Sequence, residues 1–441
     1  MTPPPGLPAP HQRPASAAIA MAALLALAVA MGIGRFAFTP MLPLMMRDGL
    51  LDAALAAELA AANYLGYLAG ALSAAPLQAL LARRWPARAE AQPPALLALA
   101  LTLVIALNAA MAGPHWLGIG WHVQRTLAGA ASAWTLVAAT GWALTALARR
   151  GAAPLGGWVF AGVGSGIALS GLLVWALGGW RSGALWLALT ALALLMAGAM
   201  AWLLRSGCAA HHLASPQQAP GSSAKAPVSA PTSAPASPPT TRCGVPPGFG
   251  PLVFCYGSFG FGYIVPATFL PAMARVLVDD PFWFGLAWPV FGTAALLSIV
   301  LSARLASHWP RQPLWAGCQL AMALGVALPL LSRSGLAIGA AALLVGGSFM
   351  VATMAGMQLA RQWLPADPTP LLGRMTTAFA AGQILGPLQV RLLDGWHWHG
   401  WGPIEFTSAT AALLLATTAA WLWRGLPEPS SLETAHAHPA R

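Results

Sequence analysis

The chain has 441 residues, of which 58% are hydrophobic and only 7% charged. A soluble protein of this size needs about a quarter charged residues to cover its surface, so the composition excludes a soluble globular protein and describes a polytopic membrane protein solvated mostly by lipid. The formal charge of +11 comes from basic residues scattered singly and in pairs between apolar runs, which is not a nucleic-acid-binding patch.

The chain opens on a Pro-rich tail, residues 1–16, read as cytoplasmic. The apolar run that follows is far longer than the 7–15 residues of a signal-peptide core, so it is read as a retained first span. A span needs about 20 mainly apolar residues. Backbone polar groups facing lipid must pair within their own segment, so the spans are helices. Six are expected near 17–46, 57–82, 94–112, 117–147, 154–178 and 183–204. Residues 206–248 then break the pattern with a Pro-, Ser- and Ala-rich stretch that cannot bury enough apolar surface to order itself, a disordered cytoplasmic linker. Six more spans are expected near 249–274, 281–306, 312–331, 335–362, 371–392 and 403–424, before a cytoplasmic tail, 425–441. The bundles are thus 17–205 and 249–424.

Lys/Arg bias sets the orientation. With both termini cytoplasmic, 15 basic residues fall inside and five outside: Arg47, Arg181, Arg275, Arg333 and Arg391. The remaining two, Arg35 and Arg125, lie within spans. Of the 22 basic residues only Lys225 is a lysine, which with the Ala, Gly and Pro excess suggests a GC-rich bacterial genome.

The halves repeat each other. Gly32, Gly34, Pro43 and Met45 recur as Gly260, Gly262, Pro271 and Met273, an offset of 228. "LARRWP" at 81–86 recurs as "LASHWP" at 305–310, and Gly120 with "TLAG" recurs as Gly347 with "TMAG". Three matches in order at nearly one offset indicate a six-plus-six duplication. Parallel repeats about an axis along the membrane normal place a substrate site between the halves.

"GIGRFAFTPMLPLM" in span 1 and "ANYLGYLAGAL" in span 2 resemble the YbfB/YjiJ-like branch of the major facilitator superfamily over both bundles. The resemblance implies an all-α integral membrane fold of twelve helices in two six-helix bundles, alternating access, a bacterial plasma-membrane location, and spans 1, 4, 7 and 10 lining a central cavity. The chain departs from the wider superfamily in two places. Arg83 stands where an inner-gate Asp is usual, with Ser307 and His308 in the second half; and span 5 reads "GVGSGIALSG" without the Gly-Pro of drug exporters.

Arg35 and Arg125 carry the functional reading. An arginine in the bilayer costs about 2.5–3.5 kcal/mol on insertion scales, and it cannot neutralise itself. Arg35 lies roughly 16 Å from the outer end at 1.5 Å per residue, and Arg125 at a similar depth. Arg35 shares a helical stripe with Gly32, Thr39 and Leu42, and Arg125 shares one with Gly118, His122, Gly129 and Ser132. All eleven carboxylates fall in loops, tails or span ends, and only Glu58 is near enough to pair with either arginine. A surplus of fixed positive charge favours an anion gripped by bidentate hydrogen bonds. The competing reading has Arg35 satisfying carbonyls freed by Pro40 and Pro43, or pairing with Glu58.

Asn63, Gly66, Tyr67 and Gly70 form one stripe of span 2, serving either helix packing or contact with the cavity. Gly162/Gly166 and Gly382/Gly386 read as packing pairs. From the second half Tyr256, Tyr263, Gln358 and Gln383 are candidates for orienting a ligand, with interhelical hydrogen bonding as the alternative. Glu58 and His122 are the proton-coupling candidates. The four cysteines show no metal spacing, and His397 and His399 are too few for a metal site. No cofactor is expected. The sequence therefore reads as a secondary transporter of a small organic solute, an anion coupled to protons, with the lipid bilayer as its other partner. An exporter of amphipathic compounds is the alternative. A membrane-embedded enzyme would need a cluster of acids, histidines or a nucleophile and base at one depth, and a receptor would need an effector domain; the sequence carries neither.

Overall fold

A computed structural model describes residues 13–85, 93–113, 118–213, 248–277, 285–305, 309–364 and 369–426. The expected linker between 214 and 247, and the tails up to residue 12 and from 427 onward, lie outside the described residues. All twelve expected spans are helical. Among the described residues nine helices are long and apolar enough to cross a membrane by themselves. Ala95–Ala110 and Ala287–Ser302 are shorter apolar helices, and Thr369–Leu392 is long but more polar. The sixth span continues as helix Ser182–Leu213, eight residues into the stretch expected to be disordered from 206. A helix already nucleated extends cheaply through "SGCAAHHL", and Pro216 follows its end.

Span 1 is not the uniform helix expected over 17–46. It is an α-helix over Arg13–Leu27, a π-helix over Ala28–Arg35 and an α-helix over Phe38–Arg47. The Phe36 N–H reaches back five residues to the Met31 carbonyl at 2.9 Å. Such widened turns occur mostly as short insertions at functional sites, and this one ends on Arg35. Span 7, Gly250–Leu277, carries the matching glycines but stays α-helical.

Small residues let the helices close. A Cβ on Gly66 would lie 1.8 Å from the Thr126 carbonyl, and one on Gly129 would lie 2.0 Å from that of Asn63, so spans 2 and 4 touch backbone to backbone. Gly162 and Gly166 meet Leu24 and Ala28 of span 1 in the same way, and Gly382 meets Gly257 of span 7. The glycine pairs are therefore packing devices, where close approach replaces the hydrophobic drive that lipid removes. The repeat persists in this packing: Gly32 closes on Gly166 of span 5, and Gly260 closes on Phe379 of span 11.

The two bundles meet along three seams. Span 5 packs on span 8, where Gly164 meets Leu296 and Gly292 meets Ala168. Span 2 packs on span 11, and the outer part of span 1 packs on span 7.

Candidate binding site between the two bundles

Arg35 and Arg125 are buried to 3% and 4% exposure. Arg35 leaves the last residue of the π turn and donates from Nη2 to Gln383 Oε1 of span 11 at 2.7 Å. Its guanidinium lies 3.8 Å from the centre of the Tyr67 ring, with Tyr64 and Phe36 at 5.3 and 5.2 Å. A desolvated cation over such a ring gains about 2 kcal/mol. Arg125 rests over Phe38 at 4.4 Å and makes two long contacts to span 1, to the carbonyls of Gly34 (3.5 Å) and Arg35 (3.4 Å). The two arginines thus converge at the π segment.

Neither arginine meets a carboxylate among the described residues. The Nε of each is buried without a hydrogen-bond partner. Asn63 donates to the Arg125 carbonyl at 2.9 Å, which fixes its amide orientation and leaves its Oδ1 buried without a donor. A buried polar group in that condition costs about 1–3 kcal/mol, and more when charged.

Gln383 is the hinge of the arrangement. While its oxygen accepts from Arg35, its Nε2 donates to the Tyr263 hydroxyl at 2.6 Å. Tyr263 in turn stacks between Phe349 of span 10 and Phe379 of span 11, at 5.4 and 5.5 Å between ring centres. The stack continues through Phe291 to Trp288 of span 8. Tyr256 sits deeper, against Phe259, Phe379 and Trp315. Offset stacks of this kind are rigid and apolar. Both cations therefore belong to the first bundle, resting on its own rings, while the second bundle contributes the continuous ring stack.

Toward the end that charge bias assigns to the outside, further bonds join the bundles. Thr39 donates to the Ala267 carbonyl at 2.7 Å, the Tyr64 and Thr268 hydroxyls lie 2.9 Å apart, and Arg275 donates to the Pro43 carbonyl. At the rim Glu58 accepts from Arg391 Nε at 2.6 Å, and its other oxygen lies 3.2 Å from His122 Nε2. This corrects the expectation that Glu58 is the available partner of the central arginines. Its carboxylate sits at the outer end, and the far bundle supplies the cation. It corrects the competing reading of Arg35 too: its Nη2 goes to the Gln383 amide oxygen of the other bundle and not to carbonyls freed by Pro40 and Pro43.

Behind the rim, burial pushes the Asp48 carboxyl up. The Ser182 N–H at 2.7 Å and Arg47 at 2.9 Å outweigh that and hold it below the usual range.

Of the residues expected at the site, Arg35, Arg125, Asn63, Tyr67, Tyr263 and Gln383 come together. Glu58 and His122 pair at the rim. Gln358 is half-buried, nine positions along its helix from Phe349, and joins none of these hydrogen bonds. Sequence reasoning missed Tyr64, Thr268, Phe349 and Phe379. One signal for Tyr64 was available: the chain has only four tyrosines, confined to spans 2 and 7.

A family model described as "Uncharacterised MFS-type transporter YbfB" matches residues 27–422. No curated protein matches the chain. Among solved structures, the D-xylose-proton symporter is similar with a TM-score of 0.66 at 15% identity, covering 93% of this chain and 98% of that one. The nucleoside transporter NupG is similar with a TM-score of 0.61 at 15% identity, with the same coverage. At these identities the likeness shows the fold.

Proposed function

The chain belongs to the YbfB family of MFS-type transporters, and from that premise we propose that its cargo is a small organic anion, bound between Arg35 and Arg125. A secondary transporter of this fold is a multi-pass membrane protein and not an enzyme. The observation that carries the anion reading is the pair of buried guanidiniums at the seam between bundles, each with an unpartnered Nε and neither facing a carboxylate among the described residues. Leaving buried charge uncompensated costs several kcal/mol. A carboxylate or phosphate that accepts from both forks removes that cost when it binds.

Alternating access then follows from where the bundles are bonded. The crossings at Arg35, Thr39, Tyr64, Arg275 and Glu58 lie at the depth of the site or outward of it. They support a state closed toward the outside. On this reading Glu58 and His122 are the proton-coupling candidates: they lie side by side at the rim, where the Glu58–Arg391 pair joins span 2 to span 11. The location is the bacterial inner membrane with both termini cytoplasmic, and the bundles 17–205 and 249–424 rock about the site, joined by the 206–248 linker.

The test is ligand-induced thermal stabilisation of the reconstituted wild type and Arg35→Gln across organic anions, cations and neutral compounds. Stabilisation by anions alone, lost in Arg35→Gln with the apo fold intact, is expected. Stabilisation by cations or neutral amphiphiles, unchanged by the substitution, overturns the reading. It then favours an exporter of amphipathic compounds that uses the aromatic face at Tyr263.

A further inference from the structure

A cavity of about 630 Å³ opens at the outer end of the bundles. That is the size of a small-molecule site. Its walls include Leu42, Met46, Phe269 and Met273, an apolar surface. Three arginines stand around it, each from a different part of the chain: Arg47 at the end of span 1, Arg275 in span 7, and Arg333 between spans 9 and 10. Charge bias leaves only five basic residues on this side of the membrane. Three of those five on one cavity is a concentration that topology alone does not require, because the bias acts to keep such residues off this face.

The arginines differ in how they are held. Arg47 is fixed by Asp48 and by the carbonyls of Gly178 and Trp180 at 2.6 Å each. Arg275 spends one nitrogen on Pro43. Arg333 is exposed and has no hydrogen-bond partner among the described residues. Glu405 also lines the cavity, but its Oε2 accepts from the Gly402 N–H at 3.0 Å and caps span 12. With Asp48 beside Arg47, three cations face two carboxylates among the described residues, and the surplus lies on the Arg275 and Arg333 side.

We infer that this cavity is a second binding site, for an organic anion with an apolar body. The acidic group lies toward Arg275 and Arg333, and the apolar part lies against Phe269 and Met273. The site is distinct from the one at Arg35, which lies inward of the Thr39–Ala267 bond, and it stands whether or not the deep site binds an anion. A free anion and the phosphate of an anionic lipid share this chemistry.

Calorimetric titration of the full chain in phosphatidylcholine nanodiscs tests it, with naphthalene-2-sulfonate as probe. The expected result is a site that persists in Arg35→Gln and tightens at low salt. It weakens about three- to fivefold in Arg333→Gln, as loss of one exposed charge contact implies, and more than that in Arg333→Glu. Both substitutions fall on an exposed side chain, so the fold is not at stake. Added phosphatidylglycerol that displaces the probe assigns the site to a lipid headgroup, and failure to displace it assigns the site to a free anion; both sustain the inference. Binding that is unchanged in Arg333→Gln and Arg333→Glu, or that neutral naphthalene matches, overturns it.

Discussion

Arg35 and Tyr263 occupy equivalent positions in the two repeats, 228 residues apart, and they meet at the same glutamine. Around them the scaffolds agree. Gly32 and Gly260 are both closed on by the fifth helix of their own bundle. What differs is the chemistry on top of that scaffold. The first bundle inserts a π turn and presents two guanidiniums, while the second keeps a regular helix and presents a stack of rings. Packing is therefore what the duplication retained, and charge is where the copies diverged.

If packing is the shared part, Gly32→Ala and Gly260→Ala should do equal and severe damage. Each new methyl would lie 2.2–2.3 Å from backbone of the facing helix, where no rotamer change relieves it. Overpacking costs about 1–3 kcal/mol even where side chains can shift, so both variants should lose most folded protein by size-exclusion in detergent. Damage in one half alone would break the comparison.

Arg35→Lys asks whether charge is enough in the first bundle. A lysine keeps the charge but loses the planar face over Tyr67 and the Nη2 that donates to Gln383. Anion affinity should fall by about 2 kcal/mol, roughly thirtyfold, in proteoliposome binding. Tyr263→Phe probes the second bundle more gently, because only the hydroxyl that accepts from Gln383 is lost. The ring stack survives, and affinity should fall by about 1 kcal/mol, roughly fivefold. A larger loss than Arg35→Lys would reverse the assigned roles.

The smallest effect concerns Asp48, outside the contrast. Its folded carboxyl is held below the usual range, so its contribution is present above the unfolded pKa of about 3.9. That contribution disappears as pH falls through the lower folded value. Asp48→Asn should lower thermal stability slightly at pH 7 and leave it unchanged at the acid extreme. A uniform loss at both would show that the carboxylate's charge does not matter there.

The twelve spans were legible because lipid imposes long apolar runs, and their described ends match to within a few residues except at span 6, the expected start of span 8 at 281 lying outside the described residues. The placement of Arg35 and Arg125 inside spans at similar depth was legible from the scarcity of charge there. Three features were not. A π turn needs one extra residue per turn, and Gly32 and Gly34 permit it without announcing it. The partner of Glu58 lies 333 positions away in the other bundle, where only the fold brings it near. Phe291, Phe349 and Phe379 look like any apolar residues of a span until their helices stack them.

The acceptor opposite Arg35 is an amide and not an acid. An amide orients the guanidinium without cancelling its charge, so the empty carrier remains electrically incomplete. Gln383→Glu changes a single side-chain nitrogen to oxygen and closes that circuit with a built-in counter-ion. Such a protein should be as well folded as the wild type, yet it carries its own substitute cargo permanently. The neutrality of one side chain separates a carrier that can be loaded from one that is always full.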